Sequence, residues 1–74
     1  MDELIESYKK LKGALQKSAE ITGDVIKLIE KSKLLENEGK EESEEAKEVL
    51  KKIEEKNDEF TLQIIKIFKL VNQS

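Results

Sequence analysis

The groups in this chain that could act on a substrate are carboxylates, lysine amines and one phenol. Its 74 residues include 17 Asp and Glu, 14 Lys and the single tyrosine Tyr8, and neither His, Cys nor Arg occurs. Without an imidazole there is no Ser-His or Cys-His pair and no Glu-x-x-His di-metal motif. Without a thiolate there is no ligand set for structural zinc or an iron–sulfur cluster. Gly39-Lys40 has the ending of a phosphate-binding loop, but the earlier glycine at the required spacing is missing and no strand pattern precedes it. The acidic run from Glu41 to Glu48 lacks the alternating ligands and central glycine of a calcium loop, so it reads as a solvated helix face. Tyr8 falls on an apolar track, where a tyrosine buries its ring and leaves its hydroxyl in water. No catalytic, cofactor or metal site is expected, and the chain is expected not to be an enzyme.

Charge narrows the partners. The formal net charge is −3, with every cation a lysine. Arginine forks are the usual base-reading and phosphate-clamping groups, and a net acidic chain repels a phosphate backbone, so nucleic acid is disfavoured. Residues 1–36 balance seven acids with seven lysines, residues 40–59 carry nine acids against five lysines, and residues 60–74 carry only Lys66 and Lys69. The start, Met1-Asp2-Glu3-Leu4-Ile5-Glu6, is acidic and lacks the apolar run of a signal peptide. No stretch approaches the roughly 20 apolar residues of a membrane span. Lack of cysteine fits a reducing cytoplasm.

The elements that position these groups are helices. There is no Pro, and Leu, Ile, Glu and Lys dominate. Two tracks step by four and three residues, the rhythm of helices packed lengthwise. The first is Leu4, Tyr8, Leu11, Leu15, Ser18, Thr22, Val25, Ile29 and Ser32; the second is Ala46, Leu50, Ile53, Asn57, Phe60, Ile64, Ile67 and Val71. They predict an all-α antiparallel hairpin in one domain, 1–74, with a helix over about 2–36, a turn over about 37–42 and a second helix over about 43–72. Asn37 or Gly39 can take the left-handed conformation that ends a helix, and Ser43 can cap the next one. Folding at the turn brings Tyr8 level with Val71, Leu15 with Ile64 and Ile29 with Leu50. Thr22 and Asn57 then form a polar layer that would set register. Gly13 and Gly23 each cost about 1 kcal/mol relative to Ala inside a helix. Thr22-Gly23-Asp24 offers an alternative break into three helices, although the four-three track passes it without a phase change.

Apolar residues outnumber what one seam can take. Ile5, Ala19 and Ile26 flank the first track on one side; Ala14, Ile21, Leu28 and Leu35 flank it on the other. In the second helix Leu62, Ile65 and Phe68 recur every three residues on a side its neighbour should not cover. A chain of this size buries only about 60% of its unfolded surface by folding alone, and it has no disulfide or metal to compensate. The expected interface therefore comprises Leu62, Ile65, Phe68, Ile5, Ile21, Leu28 and Leu35, and the expected partner is the chain itself, as a homodimer or higher oligomer in a multi-helix bundle. Two other readings stand beside it. One is an adaptor docking a different helical protein through the C-terminal half of the second helix. The other is a peripheral membrane helix with Lys66 and Lys69 at the headgroups. The stretch from Val49 to Phe60 resembles helices of the substrate-holding chaperones of flagellar and type III export, which implies a chaperone-like adaptor but assigns no residue a role.

Overall fold

A computed structural model describes residues 2–72. Two helices, α1 (Asp2–Asn37) and α2 (Glu44–Asn72), pack against each other as an antiparallel hairpin. They start and stop within a residue or two of the positions the pattern predicts.

Local chemistry explains the turn. Gly39 has a φ of 72°, a left-handed conformation that costs glycine nothing. The Gly39 amide donates to the Glu36 carbonyl (3.0 Å) and the Lys40 amide to the Leu35 carbonyl (2.8 Å). These two bonds are a Schellman motif, which satisfies carbonyls that the end of α1 would otherwise leave bare. At the start of α2 the Ser43 hydroxyl accepts from the Ala46 amide (3.1 Å) and donates to the Lys40 carbonyl (2.7 Å). Glu44 and Glu45 occupy the first turn, where the helix dipole favours negative charge.

α1 runs unbroken through Gly13 and Gly23, so the three-helix alternative is excluded. Ahead of Gly23 two hydroxyls bond back to carbonyls one turn earlier, which satisfies them inside the helix. Ser18 donates its hydroxyl to the Ala14 carbonyl (2.9 Å), and Thr22 donates to the Ser18 carbonyl (2.8 Å).

The lengthwise register is the expected one, but the roll of each helix about its axis is not. The buried and half-buried residues of α1 are Ser7, Leu11, Ala14, Ser18, Ile21, Gly23, Val25, Leu28, Ser32 and Leu35. Those of α2 are Ala46, Val49, Ile53, Lys56, Gln63, Ile67 and Leu70. Four of the nine residues of the first predicted track and three of the eight of the second are in the seam. Most of the others have been exchanged for their preceding neighbours, which amounts to a roll of about 50° at 100° per residue. Ile21, Leu28 and Leu35, expected as an outer flank, are thus inside the hairpin: Ile21 is 2% exposed and Leu35 3%. Conversely Tyr8, Leu15, Ile29, Leu50 and Ile64, expected in the seam, lie open at its side. The expected Thr22–Asn57 layer is also displaced. Both residues are exposed, and the polar members of the seam are Ser7, Ser18, Ser32, Lys56 and Gln63.

Two causes account for the roll. Ser18 and Ala46 are small and lie in the seam under either roll, so turning Ala14 inward in place of Leu15 lets the helix backbones approach closely. The column Ala14, Ile21, Leu28, Leu35 is also apolar throughout, whereas Leu15, Thr22, Ile29, Glu36 is interrupted twice. Burial then concentrates near the turn, where Leu35, Ala46 and Val49 form the core with Leu28 and Ile53 against them. Toward the open end the seam thins to half-buried Leu11, Gln63, Ile67 and Leu70.

Candidate protein interaction surface

The roll gives the hairpin two unlike edges. Along one edge the helices are tied by charge. Lys31 reaches Glu45 (3.3 Å), and Lys56 reaches both Asp24 (3.3 Å) and Glu59 (3.5 Å). A shallow charged cleft follows this edge, lined by Asp24, Lys27, Leu28, Lys52, Glu55, Lys56 and Glu59. The hydrogen bond from Lys56 to Asp24, helped by the negative charge of Glu59, raises the Lys56 pKa above 10.5. Exposed ion pairs of this kind add little to stability, because solvent screens them and two long side chains must be held in place. Their larger effect is to determine which edge is closed.

The opposite edge is apolar. From α1 it carries Tyr8, Leu15, Thr22 and Ile29; from α2, alongside them, Val71, Ile64, Asn57 and Leu50. Every one of these residues is exposed, with Tyr8 at 64%, Leu15 at 52% and Ile64 at 44%. The edge ends in a hollow of about 110 Å³ between the helix ends, lined by Leu4, Ser7, Tyr8, Leu11, Leu70 and Val71. Ile5 and Ile26, both half exposed, extend the apolar strip onto the adjoining flank of α1.

A second apolar patch covers the outer side of α2. Leu62, Ile65 and Phe68 are exposed, Phe68 at 68%. Of the residues expected at an interface, Leu62, Ile65, Phe68 and Ile5 are open to a partner. Ile21, Leu28 and Leu35 are occupied by α2. The edge residues Leu15, Ile29, Leu50 and Ile64 were missed as surface because their spacing suits a seam equally well. The signal that discriminates is the placement of Asp24, Lys31, Glu45 and Lys56: opposite charges able to meet across the hairpin mark the closed edge.

The whole-molecule dimensions agree with an uncovered face. The accessible surface is 6,035 Å², against about 4,650 Å² expected for a compact monomer of 8.5 kDa. The radius of gyration is 16.8 Å, where a compact chain of this length has about 11 Å. Among the described residues no group of three or more acidic side chains is placed to hold a metal ion, and no helix is long and apolar enough to cross a membrane. Comparison with protein-family models, with characterised proteins and with solved structures finds no match, so surface geometry alone carries the functional reading.

Proposed function

We propose that this chain is a non-enzymatic helical interaction module that works as a homo-oligomer in a reducing cytoplasm. The observation that carries the reading is the exposed apolar edge of Leu15, Ile29, Leu50 and Ile64, broken only by the Thr22–Asn57 layer, beside a seam with few large buried side chains. Covering one large apolar side chain fully is worth about 1.5–3 kcal/mol, and a small domain has only about 5–15 kcal/mol in all. A second helical hairpin laid on the edge converts an open two-helix stack into a four-helix bundle with a shared core. The absence of His and Cys and the lack of Arg support a role in contact rather than in catalysis or nucleic-acid binding. Sedimentation over a concentration series tests it: an oligomer at micromolar concentration is expected, and a well-folded monomer there would overturn it.

A second reading is favoured by a separate observation. Leu62, Ile65 and Phe68 are exposed outside the seam, and pairing along the edge leaves Leu62 and Ile65 uncovered, with Phe68 at the edge's rim. They suit an adaptor of the export-chaperone kind, docking another helical protein. Ile65→Lys tests the patch by itself. If the patch serves a client, the variant stays assembled and loses only the client; if the variant instead dissociates and loses helix, the patch belongs to the oligomer core and the adaptor reading fails. The same variant against wild type in flotation with anionic vesicles tests the membrane-surface alternative, which requires Lys66 and Lys69 at the headgroups.

A further inference from the structure

We propose that the apolar edge is covered by a second copy of the hairpin turned end for end, with the two-fold axis crossing the layer of Thr22 and Asn57. This rests on the self-association reading and adds its geometry. Two symmetric arrangements cover the edge while keeping every neighbouring helix pair antiparallel. In one, both turns lie at the same end and α1 packs on the second copy's α2. In the other, the turns lie at opposite ends, so α1 packs on α1 and α2 on α2.

The edge residues are arranged symmetrically about their centre. In α1 the column reads Tyr8, Leu15, Thr22, Ile29, Glu36, and in α2 it reads Leu50, Asn57, Ile64. Turned about Thr22 and Asn57, Leu15 comes level with the second copy's Ile29, and Ile64 with its Leu50. The polar layer meets itself, so Asn57 lies opposite Asn57, and only Val71 falls level with a polar residue, Ser43; with the turns together Thr22 would meet Asn57 and Leu15 would meet Ile64, so the columns are matched in both arrangements. Tyr8 comes level with the second copy's Glu36, a carboxylate that can accept from the phenol.

The flanks separate the two arrangements. Beside the edge, α1 presents Ile5, Lys12, Ala19, Ile26 and Lys33, whereas α2 presents Lys47, Glu54, Thr61 and Phe68. Turns together, Ile26 would lie near Glu54, Ala19 near Thr61 and Lys33 near Lys47. End for end, a lysine pair also occurs, Lys12 near Lys33, and Phe68 comes near Lys47, but Ala19 lies beside the second copy's Ile26 twice over and Thr61 beside Glu54.

Charge points the same way. Residues 22–57, the turn half, hold eleven acids against eight lysines, and the rest of the chain six acids against six lysines. With the turns together the two acidic halves lie side by side; end for end, each lies against the neutral half. The hairpin spans 57 by 14 Å, so one face offers roughly 800 Å² per copy, the share of a standard-size interface.

The chain lacks cysteine, which makes cross-linking clean. Leu15→Cys, Ile29→Cys and Ile64→Cys chains are prepared separately, checked for helix content and mixed in pairs under oxidation. The Leu15→Cys and Ile29→Cys mixture is expected to form mixed disulfide dimers, and the Leu15→Cys and Ile64→Cys mixture is not. The reverse pattern, or a dimer that cross-links in neither mixture, overturns the end-for-end geometry. Sedimentation of the reduced wild type separates this from the reading beneath it: a monomer at high concentration overturns both.

Discussion

Ile64→Gln puts the apolar edge to a quantitative test. Glutamine is a good helix former, so the substitution removes apolar area without weakening α2 itself. Ile64 is 44% exposed in the hairpin, so somewhat more than half of its burial is already gained by folding one chain. Covering the remainder is worth about 1 kcal/mol per copy, on a scale of about 1.5–3 kcal/mol for a whole side chain. A symmetric dimer loses this twice, about 2 kcal/mol, which weakens the dissociation constant by about 30-fold. An amide buried without a hydrogen-bond partner would add to the loss. Ile21→Ala provides the contrast. Ile21 is 2% exposed inside the seam, so its truncation is expected to cost about 2–5 kcal/mol of folding stability at every concentration. The assay pairs sedimentation equilibrium with thermal circular dichroism at several concentrations. If Ile64→Gln leaves both the dissociation constant and the concentration dependence of melting unchanged, the edge is not an interface and the reasoning fails.

The remaining predictions concern the hairpin itself. A Cβ built at Gly13 or Gly23 meets nothing within 4 Å, so each Gly→Ala change is expected to stabilise by about 1 kcal/mol and raise Tm by about 4–8 °C in thermal circular dichroism. Gly39→Ala forces an L-residue to a φ of 72° and is expected to cost about 1–2 kcal/mol in denaturant unfolding, while Ser43→Ala, which removes the cap, costs about 1 kcal/mol. Lys56 has its pKa raised by Asp24 and Glu59, so its contribution is fully present below the unfolded value of 10.5 and is lost as pH rises through the higher folded value. Stability from this source is therefore flat near neutrality and falls above pH 10.5, and Asp24→Asn is expected to make the alkaline fall in helix content shallower than in wild type.

Much of the architecture is legible in the sequence because its causes are local. Two helices follow from period and composition, and the turn follows from Gly39, whose left-handed φ allows the two Schellman bonds. Ser43 is readable as a cap because its hydroxyl has to reach only three residues ahead. The lengthwise register follows once the turn is placed, since a short connection leaves two helices little freedom to slide. The exposed character of Leu62, Ile65 and Phe68 is legible too, because an apolar stripe on the far side of a two-helix stack has nowhere to be buried.

The roll of the helices was decided only in three dimensions. The apolar sector of α1 is wider than one neighbouring helix can cover, and Leu15 and Ala14 both sit next to the shared column of Leu11 and Ser18. Hydrophobicity alone favours the larger Leu15. The folded hairpin instead buries Ala14, Ile21, Leu28 and Leu35, because Ala14 in place of Leu15, beside the small Ser18 and Ala46, allows close approach and Lys31 and Lys56 find carboxylates across one edge. Periodicity counts apolar residues around a helix, whereas the distance between two backbones and the pairing of charges across them exist only after the helices have met. Those two quantities put Leu15, Ile29, Leu50 and Ile64 at the surface, where a second chain can reach them.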